Sequence, residues 1–210
     1  MTFACIYKFF MDWQTLIGSL LALGAALLTV KEMRNQSRGD ETRHRNELER
    51  KRMAARAQMP DALSEMSSYI RASTAQIVTG GEMPVAPVAA LNTLKTVIEH
   101  IDTGYAEKTF QLVSWYQVQH VRMLASTNRN AHDTADQLFD AALLQAYVNR
   151  LFNYARNEKE EIGPKNLCRE DLIDSLKSSL SLQVWAARHG EFPDVIEIIN
   201  RRYKPRAQTE

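Results

Sequence analysis

An uncharged stretch near the N-terminus constrains this chain more than any other feature. Residues 13–30 contain no Asp, Glu, Lys or Arg, and they are flanked by Asp12 and Lys31. The stretch carries eight large aliphatic side chains: Leu16, Ile17, Leu20, Leu21, Leu23, Leu27, Leu28 and Val30. As a helix its 18 residues would span about 27 Å, close to the ~30 Å hydrocarbon core of a bilayer. The sequence therefore predicts one transmembrane helix over residues 13–30, with Trp13 at headgroup depth.

Two other structures are compatible with such a stretch. A buried core helix rarely runs for this length without a charge. A cleaved signal peptide normally has a more basic start than this one, whose charges are Lys8 and Asp12. Small residues at positions 22–25 nevertheless offer a cleavage site, so export stays open as an alternative. Residues 1–12 form a short N-terminal segment, and Met11 is an alternative translation start.

Charge is divided unevenly along the chain. The overall net charge is +1. Residues 31–56 hold nine basic and five acidic side chains, a net charge of +4, whereas residues 57–210 have a net charge of −3. Because Lys and Arg beside a transmembrane segment favour the cytoplasmic side, we expect the C-terminal part in the cytoplasm. The basic stem, residues 31–58, is expected beside anionic lipid headgroups. The acidic remainder argues against nucleic acid as a ligand.

The stem itself is polar. Between residues 31 and 52 only Met33 and Leu48 are large and apolar, too few for the seam of a coiled coil. The sequence at positions 37–40, Ser-Arg-Gly-Asp, is expected to interrupt any helix that continues out of the membrane, and Asp40 would cap a second one. Its Arg-Gly-Asp tripeptide is interpreted as a chance occurrence. The stem is therefore expected to be a solvated helix or a partly disordered tether.

Beyond the stem, apolar residues recur every three or four positions, which is typical of packed helices. The pattern predicts one helix after Pro60, four further helices, and a short last one from Pro193. The third is marked by Tyr105, Phe110, Val113, Gln117, Val121 and Leu124. The fifth is expected to run past Val184 and close at Gly190.

No segment alternates as a strand should, so the sequence predicts an all-α protein. It consists of one N-terminal transmembrane helix, a polar stem, a bundle of about five to six helices over residues 59–203, and a tail at residues 204–210. About 145 residues suffice to bury one core. No second domain boundary and no internal repeat is visible in the bundle.

Three short segments together resemble a loose set of small, uncharacterised bacterial single-pass membrane proteins. They are Asp12-Trp13-Gln14-Thr15-Leu16-Ile17-Gly18, Arg52-Met53-Ala54-Ala55-Arg56-Ala57 and Pro60-Asp61-Ala62-Leu63-Ser64-Glu65. The resemblance covers about the first third of the chain. It implies an inner-membrane anchor and a cytoplasmic helical domain, and it carries no activity, cofactor or catalytic residue.

One constellation suggests metal chemistry. His132-Asp133, with His100 upstream and Asp171 or Asp174 downstream, has the order of ligands found in HD-type metal-dependent phosphohydrolases. Imidazole and carboxylate groups of this kind bind divalent ions that activate water. A His-Asp doublet is common by chance, however, and Asp133 is equally explained as a negative charge at a helix start. We therefore assign no metal, catalytic or cofactor-binding residue, and we keep the phosphohydrolase as an alternative.

The remaining candidate groups have structural explanations. Cys5 and Cys168 are far apart in sequence, so we expect neither a disulfide nor a redox pair, and Cys168 should lie near a helix start. His120 lies near Trp115 and Tyr116, and these residues, like Trp185, are expected to be core and rim residues rather than a ligand pocket. Phosphate-binding glycine loops and hydrolase motifs are missing from the sequence.

Gly18, Ala22 and Ala26 recur every four residues on one face of the apolar helix, a spacing that lets two membrane helices approach closely. A homodimer is therefore compatible with the anchor. Three functions remain open: a non-enzymatic, membrane-anchored module that binds a protein partner, an anchored phosphohydrolase, and an exported helical protein of envelope or phage origin. An anchor, a stem and a bundle suffice for the first, so it is the function that we expect. An outward-facing apolar patch on the bundle would mark the interface.

Overall fold

The computed structural model describes residues 3–80, 82–125, 131–156, 158, 166–181, 184–185 and 192–205. This part of the chain contains six helices of ten residues or more and no strand. The helices are α1 (Phe3–Thr79), α2 (Val88–Ile98), α3 (Thr103–Ala125), α4 (Ala131–Ala155), α5 (Arg169–Ser179) and α6 (Pro193–Arg202). The predicted all-α class is confirmed. The chain forms two compact units, Met1–Arg50 and Lys51–Glu210.

In the first unit, α1 includes an apolar stretch long enough to cross a membrane, and none of that stretch is buried. Two of its hydroxyl groups are satisfied inside the helix. Ser19 Oγ donates to the carbonyl of Leu16 at 2.9 Å, and Thr29 Oγ1 donates to the carbonyl of Ala25 at 2.8 Å. Because lipid tails offer no hydrogen-bond partner, these bonds lower the cost of placing the two hydroxyls in a bilayer.

The expected interruption at residues 37–40 is wrong, because α1 is helical through Gly39. A glycine in a helix costs about 1 kcal/mol relative to alanine. That cost is offset by the residues that follow, which are mostly strong helix formers such as Arg, Glu, Leu and Lys. Arg45 also pairs with Glu41 one turn earlier at 3.4 Å, a contact worth a few tenths of a kcal/mol.

The second unit begins at Lys51, and its first helical segment is the C-terminal part of α1, residues 51–79. A new helix was expected to start after Pro60, but Pro60 lies inside α1. Proline removes one backbone hydrogen bond and costs about 3 kcal/mol inside a helix. Burial of its neighbours Met59, Leu63 and Met66, all of them fully buried, exceeds that cost.

Helix α4 lies at the centre of the second unit. It packs against α3, α5 and α6. Every residue from 138 to 146 is buried, so the middle of α4 has no face open to solvent. Its contact with α1 is polar as well as apolar, because Ser67 Oγ donates to Gln145 Oε1 at 3.1 Å.

The core has two lobes rather than the single cluster that the sequence suggests. One lobe gathers α1, α2, α3 and the second half of α4, and the other gathers the end of α1, the first half of α4, α5 and α6. Trp115 and Tyr147 pack against both. A hydrogen-bond chain of Ser67, Gln145, Asn149 and Ser175 crosses between the helices. Buried polar groups are costly unless they are paired, so these hydrogen bonds favour one register of α1, α4 and α5.

Helix α5 ends at Ser179, which is shorter than the predicted helix through Val184. Leu180 is already extended, with φ −87° and ψ 133°. Thr74 Oγ1 of α1 donates to the carbonyl of Ser179 at 2.6 Å. This bond satisfies one of the carbonyls that a helix C-terminus leaves unpaired, so tertiary structure ends the helix before its apolar pattern does. The predicted end at Gly190 lies outside the described residues.

Candidate functional site

Helix α3 has two apolar faces. The face toward the core includes Tyr105, Leu112, Val113, Tyr116 and Met123, all of them buried. On the opposite side four large apolar side chains are open to solvent: Phe110 (62% exposed), Val118 (41%), Val121 (63%) and Leu124 (60%). At about 100° per residue these four lie within roughly 120° of one another around the helix. We call them the α3 stripe.

For this helix the prediction of which face is buried is therefore mostly wrong. Of the residues that mark its predicted apolar periodicity, Phe110, Val121 and Leu124 are exposed, and so is Gln117. The core uses the other face, where Leu112 and Tyr116 lie. Both faces have helical spacing, so periodicity alone does not tell which one is buried.

The stripe extends about 21 Å along the helix axis, from Phe110 to Leu124. The positions between its apolar members are uncharged, and they include Ser114 and Gln117. Charges lie only at its margins. Glu107 is exposed near the start of α3, and Arg122 near its end is 56% exposed while it pairs with Asp140.

Other large apolar side chains of the second unit are exposed singly within the described ranges. They are Met53 on α1, Val85 and Val88 around the start of α2, and Trp185 between α5 and α6. Scattered apolar residues of this kind are normal on protein surfaces. A row of four on one helix face is the arrangement that marks a binding surface. The Trp185 side chain is 37% exposed, and Trp115 is half-buried.

A polar cluster joins α1 to the start of α3 and the end of α4. Arg52 Nη1 donates to both carboxylate oxygens of Asp102, at 3.1 and 3.3 Å, and Tyr154 Oη donates to the same carboxylate at 3.1 Å. Arg56 Nε donates to the carbonyl of Tyr154, with its guanidinium 4.2 Å from the ring centroid. The Tyr154 ring stacks on Tyr105 with centroids 3.6 Å apart.

The chemistry of this cluster is that of a structural contact. Burial, followed by the Asp102 charge and hydrogen bond, raises the pKa of Tyr154 to about 12. The phenol therefore stays protonated at neutral pH and acts as a hydrogen-bond donor. The Asp102 carboxylate accepts three hydrogen bonds, two of them from one arginine, so its lone pairs are largely committed. No local pattern predicts this pairing, because Arg52 and Asp102 are fifty residues apart.

A second aromatic group includes His120. Tyr69 Oη lies 3.2 Å from His120 Nδ1, and the Tyr116 ring is stacked on the imidazole with centroids 5.5 Å apart. Burial and the neighbouring Tyr69 raise the pKa of Tyr116 to about 12, and burial raises the pKa of Tyr69. Tyr116 is buried, while His120 and Trp115 are half-buried. These positions agree with the expected core and rim.

The residues of the metal alternative are dispersed where they can be placed. His100 lies in the turn after α2 and is exposed, Asp133 is exposed in the first turn of α4, and Asp174 on α5 pairs with Lys177 at 3.9 Å. The side chain of His132 lies outside the described residues. Within the described part of the chain, no three His, Cys, Asp or Glu side chains gather as metal ligands would.

Cys168 is the N-cap residue of α5, so it lies near a helix start as expected. Its backbone N–H donates to Asp171 Oδ2 at 3.1 Å, which satisfies a donor next to the first turn of the helix. The thiol is half-buried and reduced. The side chain of Cys5 lies outside the described residues.

Comparisons with protein-family models, with curated proteins and with solved structures found no match for this chain. The candidate functional site is therefore identified by its own geometry. Among the described residues of the second unit, the α3 stripe is the one row of large exposed apolar side chains on a single helix face.

Proposed function

We propose that the protein is a membrane-anchored, non-enzymatic interaction module that binds a protein partner through the α3 stripe. The observation that carries this proposal is the second apolar face of α3. Exposing four large apolar side chains in a row is unfavourable in water, at about 25 cal/mol for each Å² of apolar surface. A partner that covers the stripe recovers that free energy, and this gain would favour binding.

The anchor in this proposal is the apolar stretch of α1. Its length, its lack of charge and its complete exposure support insertion into a bilayer. Nine basic residues over positions 31–56 favour a cytoplasmic location for the second unit, with the stem beside anionic headgroups. We propose the inner membrane of a bacterium as the location, since the resemblance in the first third of the chain implies it.

Topology is tested by protease protection in spheroplasts that express the full chain with a C-terminal tag. We expect a membrane-bound tag that resists external protease until the membrane is opened. Intact mass measured on the same sample reports processing. A shortened chain with a digested tag would instead support the exported protein, and it would overturn the proposed orientation.

The binding surface is tested by site-specific photo-crosslinking in membranes that contain the full chain. A photoreactive amino acid replaces Val121 on the stripe, and in a matched control it replaces Lys95 on an exposed face of α2. We expect a discrete adduct of higher mass from position 121 that position 95 does not give. Absence of any adduct at positions 110, 118, 121 and 124 would contradict the proposed function.

A further inference from the structure

We propose that the partner on the α3 stripe is α3 of a second copy of this chain, packed antiparallel and crossing near Ser114. This inference rests on the proposed function, because it names the occupant of the same surface. Its support comes from the spacing of the side chains on the stripe, from the charges at its margins and from its size.

The spacing fits an antiparallel pair. In packed helices one side chain inserts into a hole formed by residues i, i+3, i+4 and i+7 of the facing helix. Ser114, Gln117, Val118 and Val121 form such a hole within the stripe, and Phe110 is the large side chain one turn before it. Placing Phe110 of one copy in this hole of the other fixes the register.

The same register also gives a second knob-into-hole contact. It brings Val121 over the hole formed by Thr103, Ala106, Glu107 and Phe110 of the facing helix. The two copies are then related by a two-fold axis that passes beside Ser114, where the small side chain permits close approach. An interface of this type is self-complementary, as a closed homodimer requires.

The margin charges favour the same arrangement. Glu107 and Arg122 lie on the same side of the stripe, near opposite ends of α3. The register derived from Phe110 brings Glu107 of one copy within about 2 Å of the height of Arg122 in the other. Arg122 is 56% exposed although it contacts Asp140, and a guanidinium has five donors. A parallel pair would instead place the two Glu107 side chains at the same height, about 22 Å along the axis from Arg122, so it would form no such ion pair.

The size of the stripe points to a partner in the same membrane. Four exposed side chains cover only part of the ~800 Å² per partner that stable interfaces between freely diffusing proteins bury. A partner confined to the same bilayer needs less contact area, because confinement raises its effective concentration. A second copy carries the same apolar stretch and meets this condition.

The test is cysteine crosslinking of the full chain in membranes, in a background with Cys5→Ser and Cys168→Ser. In the antiparallel pair Ser114 faces Ser114, so Ser114→Cys should give a disulfide-linked dimer. Leu124 residues of the two copies would be about 30 Å apart, so Leu124→Cys should not. Lys95→Cys, on an exposed part of α2, measures random collision. Adding Glu107→Arg to the Ser114→Cys chain should lower the dimer yield several-fold.

The outcomes separate this inference from the proposed function. Dimers from both Ser114→Cys and Leu124→Cys would mean a parallel pair and overturn the antiparallel one. Collision-level yield from Ser114→Cys, together with a photo-adduct at position 121 whose mass is not twice that of the chain, would overturn the second copy and leave the interaction module in place. No dimer and no adduct would overturn both.

Discussion

Arg52 on α1 donates two hydrogen bonds to the carboxylate of Asp102, which directly precedes α3. Tyr154 at the end of α4 donates a third. One carboxylate thus holds together three segments that are far apart in the sequence. Arg52 belongs to the first helical turns of the second unit, so this carboxylate ties those turns to the bundle.

Asp102→Asn should loosen this junction. The amide keeps the shape but loses the charge that pairs with Arg52, and half-exposed ion pairs with good geometry are worth about 1–2 kcal/mol. We expect the free energy of unfolding to fall by about that amount and amide exchange to accelerate around residues 51–56. Hydrogen exchange of the full chain in detergent micelles measures both. Asp61→Asn, at an exposed site of α1, is the matched control, and equal exchange in the two variants would contradict this role of Asp102.

Leu112→Ala and Leu124→Ala make the same chemical change on opposite faces of α3. Leu112 is fully buried and Leu124 is 60% exposed. Leu112→Ala should cost about 2–5 kcal/mol of unfolding free energy, because it removes buried contacts and leaves a cavity. Leu124→Ala should change unfolding of the protomer by less than about 0.5 kcal/mol while it weakens crosslinking through the stripe. Denaturant titration of both chains checks the first effect. A large loss of protomer stability in Leu124→Ala would mean that the stripe is core.

Thr74→Val tests the early end of α5. Valine keeps the shape of threonine but cannot donate to the carbonyl of Ser179, so we expect a loss of about 1 kcal/mol and faster exchange at the end of α5. Thr79→Val is the control, since that hydroxyl is exposed and bonds only one turn back, to Ala75 at 2.8 Å. Equal effects of the two substitutions would show that the bond from Thr74 contributes nothing to the helix end.

Alkaline pH should destabilise the second unit in a defined window. Tyr116 and Tyr154 have folded-state pKa values of about 12, above the ordinary value of 10.0. Below pH 10 both states hold these phenols protonated, so the full stability is present. As the pH rises from 10 toward 12 the unfolded state ionises first, and the free energy of unfolding falls.

Thermal unfolding followed across that pH range measures this loss, and tyrosinate absorbance measures the ionisation directly. Tyr116→Phe should flatten the dependence on pH, because it removes one of the phenols whose pKa is raised by burial. Ionisation of all tyrosines of the folded chain near pH 10 would contradict the raised pKa values.

Much of the fold follows from the apolar pattern alone. The helices that begin at Val88 and Pro193, and the position of Cys168 near a helix start, are all predicted from local sequence, because each depends on neighbours within one or two turns. The predicted breaks at Gly39 and Pro60 were wrong. Each residue lowers helix stability, but the loss at Gly39 is offset by the helix formers that follow it, and the loss at Pro60 is offset by burial of its neighbours in the core.

The candidate site was less predictable for a physical reason. The sequence indicates that α3 is a helix, yet Phe110 and Leu112 are both large and apolar, and only the packing of the neighbouring helices decides which of them is buried. The end of α5 likewise depends on Thr74, 105 residues away. An outward apolar patch was expected somewhere on the bundle, but its location required the packing.

The central position of α4 also determines when the second unit can close during synthesis. Its buried surface needs both α1, which precedes it, and α6, which follows it. Contacts over such long sequence separations form late, so the bundle cannot close before α6 has left the ribosome. The apolar stretch of residues 13–30 leaves the ribosome long before then. In the membrane-anchored protein proposed above, insertion of this stretch would therefore precede folding, and the nascent bundle would fold after its anchor had reached the bilayer.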